Sequence, residues 1–168
     1  DGSPFQPGPG TLIDLAEQES ITVFGTSAKY LSALEKSGCQ PVRSHDLGAL
    51  RSVLSTGSPL AADGFRFVYQ TIKQDVHLAS ISGGTDLISC FVLGAPTLPV
   101  YEGEIQCAGL GMAVDVWDDD GRPLRGAKGE LVCTRPFPSC PIGFWNDPDG
   151  RRMHDAYFSR FPGPLSVP

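Results

Sequence analysis

Two short stretches carry residue types that can hold a phosphorylated ligand. Ser55-Thr56-Gly57-Ser58-Pro59 and Ser82-Gly83-Gly84-Thr85-Asp86 each follow a short apolar run, and each combines glycine with hydroxyl side chains. Glycine lets the backbone approach a ligand closely, and its N–H can face an anion. The Thr85 hydroxyl can donate to a phosphate oxygen. Asp86 can ligate Mg²⁺, a hard cation that takes carboxylate oxygens together with phosphate and water. Gly57, Ser58 and Pro59 with Ser82, Gly83, Gly84, Thr85 and Asp86 therefore describe a nucleotide-phosphate site. The same residues also describe plain turns between strands, because Gly, Ser, Asp and Pro are what turns use. Residue types alone leave both readings open.

The elements that must position these stretches read as an alternation of helices and strands over residues 11 to about 92. "TLIDLAEQ" is expected to form a helix with Leu12, Leu15 and Ala16 on its apolar face. "ITVF", residues 21–24, reads as a strand that turns at Gly25-Thr26-Ser27 into a hydroxyl-capped helix bearing Tyr30, Leu31 and Leu34, with Gly38 as its stop. "RSVLSTG" is a second strand. "GFRFVYQTI" places Phe65, Val68, Tyr69 and Ile72 at helical spacing. Val76–Ile81 and Leu87–Val92 read as strands on either side of the paired glycines. This order predicts a helix-covered, mostly parallel sheet, in which ligands bind beyond the C-terminal ends of the strands, where both candidate loops fall.

After residue 95 the texture changes to "LPVYEGEIQ", "GMAVDVW" and "GELVCT", short β segments separated by Gly and Pro. They predict a small antiparallel, barrel-like subdomain or sheet. Asp118-Asp119-Asp120-Gly121 reads as a solvated hairpin turn and lacks the ligand spacing of an EF-hand. In "GFWNDPDG", Phe144 and Trp145 are expected to pack within this part, with Asn146-Asp147-Pro148 as a turn. Glu130 is read as structural support and Cys90 as a buried thiol. The organisation expected is thus 1–95 as an α/β segment, 96–163 as a β-rich segment, and 164–168 as a separate tail.

Composition excludes several classes. The 168 residues carry a net charge of −6, which argues against a nucleic-acid partner. No apolar run approaches the roughly 20 residues of a membrane span, and the polar start predicts no signal peptide. The five cysteines are odd in number and scattered, without a C-x-x-C pair, as expected in a reducing cytosol.

"LSTGSPL", "SISGGTDLISCF", "LPVYEGEIQ", "GELVCT", "GFWNDPDG" and "AYFSRFPG" resemble, in order and spacing, the motifs of acetoacetyl-CoA synthetases, a branch of the acyl-adenylate-forming, AMP-binding enzymes of lipid and ketone-body metabolism. The resemblance runs from Asp1 to Gly163. It implies an acid–thiol ligase of the cytosol that uses ATP, Mg²⁺ and coenzyme A to activate acetoacetate as acetoacetyl-AMP and pass it to the thiol, with no membrane or nucleic-acid partner. By the same resemblance, Gly57, Ser58 and Pro59 would lie along the adenine. Ser82, Gly83 and Gly84 would frame the base and the acyl pocket, Thr85 would bond the α-phosphate, and Asp86 would hold Mg²⁺.

There are departures. Ser82 stands where many superfamily members carry an aromatic residue, although the acetoacetate branch has Ser there, and Asp86 stands where most relatives have Glu. The family's phosphate loop, its ribose-binding "HGD" and its C-terminal domain with the catalytic Lys have no counterpart here. The sequence is therefore expected to be an internal fragment, inactive and marginally stable alone, with Trp145, Phe158 and Phe161 short of burial. A non-catalytic interaction module and a ligase for acetate or propionate are the alternatives.

Overall fold

A computed structural model describes residues 2–161; the tail expected at 164–168 lies outside the described residues. The α/β alternation is present. β1 (Val23–Ser27), β2 (Ser52–Thr56) and β3 (His77–Ser80) form a parallel sheet in that order. Residues Phe24, Val53 and Leu78 lie in one register row and are each at least nine-tenths buried, so a single β-branched or bulky position per strand builds the sheet's core face.

Helices cover this sheet. α1 (Thr11–Gln18) spans the stretch expected, but its buried residues are Ile13 and Ala16, and Leu15 is 44 % exposed. The expected face was turned by about one residue: Ile13 and Ala16, an i, i+3 pair, enter the cluster, with Leu12 partly buried beside them. β1 runs on through Gly25 and Thr26, which were expected in a turn, and the chain leaves the strand at Ser27. The Ser27 Oγ accepts a hydrogen bond from the Tyr30 N–H at 3.1 Å and caps α2 (Ala28–Lys36), which buries Tyr30, Leu31 and Leu34. α3 (Pro41–Ser44) begins on a proline. α4 (Ala62–Phe67) continues into a π-helical turn, Val68–Ile72. Phe65, Val68 and Ile72, at i, i+3 and i+7, are buried as their spacing requires.

β4 (Ser82–Gly84), β5 (Ser89–Leu93) and β6 (Cys107–Ala108) make a second three-stranded sheet. β7 (Val114–Trp117) and β8 (Glu130–Cys133) pair antiparallel, Val114 opposite Cys133 and Trp117 opposite Glu130. The Asp118–Gly121 turn forms as expected, with the Gly121 N–H donating to the Asp118 carbonyl at 3.1 Å. The described residues close no barrel.

"LPVYEGEIQ" is not a strand. Pro96 and Pro99 remove donors, and the Gln106 side chain replaces ladder bonds. Its amide nitrogen donates to the carbonyls of Ala95, Leu98 and Pro99, and its oxygen accepts from the Ala95 N–H at 3.1 Å. Trp145 does not pack within this part but is 89 % exposed, in line with its expected shortage of burial, whereas Phe144 meets Tyr157 edge-on at 5.6 Å.

α5 (Arg151–Tyr157) was not anticipated. Its N-cap is Gly150, and the Asp147 carboxylate, just before the helix, accepts from the Arg152 and Met153 N–H groups at 3.1 and 2.9 Å. Desolvation pushes the Asp147 carboxyl up, but these two N–H bonds and the Arg152 charge together outweigh it and hold the group below the usual carboxylate range.

The chain divides into two compact units, 1–82 with 93–107 and 83–92 with 108–168. No helix among the described residues is long and apolar enough to cross a membrane.

Candidate functional site

In the first unit, the parallel register places the C-terminal ends of β2 and β3 side by side. Ser55 opposes Ser80, and the Ile81 N–H donates to the Ser55 carbonyl at 2.8 Å. The loop Gly57-Ser58-Pro59 leaves β2 at that edge, and Ile81-Ser82 leaves β3 beside it. Gly57 has φ +82°, a left-handed conformation that glycine adopts without cost; a Cβ there would meet nothing closer than 3.9 Å, so backbone conformation and not crowding selects glycine. Thr56, Gly57, Ser58 and Pro59 are exposed, and Leu60, 5 % exposed, anchors the loop from behind. In open α/β sheets, this C-terminal edge is where ligands bind. Beneath it, the Ser55 hydroxyl is fully buried and has no partner among the described residues.

In the second unit, Gly83 and Gly84 end β4, and Thr85-Asp86-Leu87-Ile88 is a four-residue turn into β5. The Ser82–Asp86 stretch is thus part of a hairpin, and its glycines are required by close approach. A Cβ on Gly83 would lie 2.2 Å from the Ser89 carbonyl oxygen and 2.7 Å from the Cys90 Cα. A Cβ on Gly84 would lie 2.4 Å from the Asp86 Oδ1, so its absence lets the carboxylate fold back over the strand end. Leu87, 4 % exposed, pins the turn, while Thr85 and Asp86 are exposed. Among the described residues, neither the Thr85 hydroxyl nor the Asp86 carboxylate is engaged in a hydrogen bond or ion pair. A lone carboxylate of this kind suits Mg²⁺, which takes one or two carboxylates and completes its shell with phosphate and water. No group of three or more His, Cys, Asp or Glu able to hold a metal occurs among the described residues, so an ion here would need ligand oxygens as well as Asp86.

Gly83, Gly84 and Asp86 also border a cavity of about 390 Å³ in the second unit, walled by Phe91, Phe137 and Met153. That volume lies within the range of small-molecule sites. Sequence reasoning missed these walls, because residues scattered from 91 to 153 share no local signal. The Glu130 carboxylate accepts from Arg160 Nη1 at 2.6 Å. Cys90 is half-buried, with its Sγ 3.1 Å from where a Gly83 Cβ would stand.

The sequence model of the AMP-binding enzyme family matches residues 1–139. The acetoacetyl-coenzyme A synthetase of Rhizobium meliloti is 63 % identical over 161 residues, covering 96 % of this chain and 25 % of the relative. The acetoacetyl-CoA synthetase of Mus musculus is 53 % identical over 163 residues, covering 97 % of this chain and 24 % of the relative. The solved acetoacetyl-CoA synthetase of Streptomyces lividans superposes with a TM-score of 0.87 at 50 % identity, over 96 % of this chain and 26 % of that one. The chain thus spans about a quarter of the length of these relatives. With the family model matching residues 1–139, a glycine-and-hydroxyl loop at the end of the parallel sheet and an exposed carboxylate on a tight hairpin, the chain belongs to the family of AMP-binding enzymes.

Proposed function

We propose that this sequence supplies nucleotide- and acid-binding segments of an ATP-dependent acetoacetate–CoA ligase of the cytosol. The observation that carries the reading is the exposed Thr85-Asp86 pair, without partners among the described residues and held on a hairpin that only glycine at position 83 can form, in a chain 63 % identical to an acetoacetyl-CoA synthetase. Five free cysteines support a reducing compartment.

A carboxylate is a poor electrophile, so the acid must be activated before a thiol can attack it. Acetoacetate attacks the α-phosphate of ATP, pyrophosphate leaves, and the coenzyme A thiol then displaces AMP from the acyl carbonyl. Positioning and charge neutralisation supply most of the catalysis in such a displacement. Gly57, Ser58 and Pro59 line the adenine. Ser82, Gly83 and Gly84 frame the base and the acyl group, and the Thr85 hydroxyl donates to an α-phosphate oxygen. Asp86 would hold Mg²⁺, whose charge offsets that of the phosphates.

The test is exchange of labelled pyrophosphate into ATP, driven in turn by acetoacetate, acetate, propionate and 3-hydroxybutyrate. It is run on this chain and on the longest natural chain that contains it. Exchange in the long chain driven best by acetoacetate is the expected result. Exchange driven best by acetate or propionate, or no exchange with any acid, overturns the substrate assignment.

A further inference from the structure

In the first unit, Asp14, Ser44 and His45 form a hydrogen-bonded chain that the nucleotide reading does not use. The His45 Nε2 lies 2.8 Å from the Asp14 Oδ1, and its Nδ1 lies 2.8 Å from the Ser44 Oγ. A carboxylate can only accept, so Nε2 carries the hydrogen, and in the neutral ring the Nδ1 lone pair faces the serine hydroxyl. The His45 side chain is 10 % exposed, while Ser44, at the end of α3, is exposed. The competing acceptor for the hydroxyl hydrogen is the Gln40 carbonyl, at the longer distance of 3.3 Å. A nucleophile, a base within reach of it, and a carboxylate that orients the base are the parts that activate a serine, and they are recognised by geometry, not by sequence order.

We propose that Ser44 is an activated nucleophile that accepts an acyl group from donors carrying a good leaving group, with His45 as its base and Asp14 as the positioning residue that orients the imidazole. The donor class follows from what the surroundings lack. The two amides after Ser44 are already engaged, His45 N–H to the Pro41 carbonyl at 2.9 Å and Asp46 N–H to the Glu17 Oε1 at 2.6 Å. Neither is free to stabilise the oxyanion of a tetrahedral intermediate. Aryl esters and acyl-phosphate anhydrides react without that help, whereas amides and alkyl esters do not. In the step itself, the Ser44 Oγ forms a bond to the acyl carbon as its proton passes to His45 Nδ1. The bond to the leaving oxygen breaks, the leaving group departs as its anion, and the proton is lost from the imidazolium to water.

The probe is p-nitrophenyl acetate, applied to the intact chain and followed by tryptic mapping. Cleavage after Arg43 and Arg51 releases a peptide in which Ser44 is the sole hydroxyl and which contains neither Lys nor Cys. The expected result is an acetyl group on Ser44, absent in Ser44→Ala and formed about a hundredfold more slowly in His45→Gln, the size of a general-base contribution. Free imidazole is expected to restore labelling in His45→Ala, a rescue that a merely structural histidine would not show. Asp14→Asn slows labelling and Asp14→Glu retains it. An unmodified Ser44, an equal rate in His45→Gln, or no rescue by imidazole overturns the proposal. Because the probe contains no nucleotide, the outcome is independent of whether the chain binds ATP.

Discussion

The two units are held together by different physics. The first is built on a parallel sheet and a cluster that includes Phe65, Leu31, Leu34, Val53, Val68 and Leu78, each with no measurable exposure. In the second, the described residues bury few large apolar side chains, Leu87, Met112 and Val132. It relies instead on edge-to-face aromatic pairs, such as Phe91 with Phe137 at 5.9 Å and Trp117 with Phe161 at 5.4 Å, and on exposed ion pairs. Burial stabilises in proportion to apolar area, whereas exposed ion pairs contribute little and are screened by salt. The first unit should therefore be stiff and resistant to denaturant, and the second should open at lower free energy. Gly57-Ser58-Pro59 lies on the stiff unit and Thr85-Asp86 on the softer one.

The largest effect that could break this comparison is Phe65→Ala. Truncating a fully buried phenylalanine typically costs about 3–5 kcal/mol, and chemical denaturation followed by far-UV circular dichroism should show the first unit's transition at sharply lower urea. A loss under 1 kcal/mol would mean that the cluster is not the source of that unit's stability.

Next in size is Gly83→Ala. The added methyl meets backbone at 2.2 Å, so the hairpin must shift, at a cost typical of overpacking, about 1–3 kcal/mol. Amide hydrogen exchange should quicken over residues 84–92 and stay unchanged in β1–β3. Equal quickening in both would show the units to be one cooperative body.

Arg160→Ala removes the pairs to Glu130 and Asp119, at 2.6 and 3.0 Å, and its stacking on Phe161. The expected loss is below about 1 kcal/mol, because the groups are exposed, and it should shrink further at high salt.

Tyr30→Phe should cost least. The Tyr30 hydroxyl is buried without a partner among the described residues, so removing it leaves no acceptor or donor behind. Burial, and after it the proximity of Cys39, pushes the Tyr30 phenol from its ordinary value near 10 up to about 12. The folded state therefore holds this proton more tightly than the unfolded state does. Its contribution is fully present below pH 10 and is lost as pH rises toward 12. Stability measured between pH 10 and 12 should fall less steeply in Tyr30→Phe than in the parent chain, and an unchanged slope would contradict the assignment.

How much of this was legible in the sequence follows the same division. In the first unit, the spacing of Phe65, Val68 and Ile72 and the Ser27 cap fixed the elements closely, because local periodicity and burial agree there. The apolar face of α1 slipped because Leu12, Ile13, Leu15 and Ala16 offer two overlapping faces, and the choice between them is made by contacts distant in the chain. In the second unit, "LPVYEGEIQ" looked like a strand because of Val100, Tyr101 and Ile105, but the side chain of Gln106 satisfies the backbone that a ladder would have used. α5 carries only a faint local signal: its N-cap is Gly150, and the Asp147 carboxylate that accepts from its first-turn N–H groups stands before the helix, outside the usual capping position. Of the candidate site, the glycines and hydroxyls were visible as residue types. The hairpin geometry and the cavity walls were not, because they depend on strands brought together across the chain.

The central claim is that the Gly83–Asp86 hairpin serves a ligand and is not only a turn. The most direct test pairs the parent and Asp86→Asn in the longest natural chain containing this sequence, measuring acetoacetate-driven pyrophosphate exchange and the urea midpoint on the same preparations. Asp86 is exposed and unpaired among the described residues, and surface changes of that kind usually stay within about 0.5 kcal/mol. The account predicts that exchange is lost while the midpoint stays where it was. Exchange retained in Asp86→Asn, or lost only together with the midpoint, would return the hairpin to a structural role.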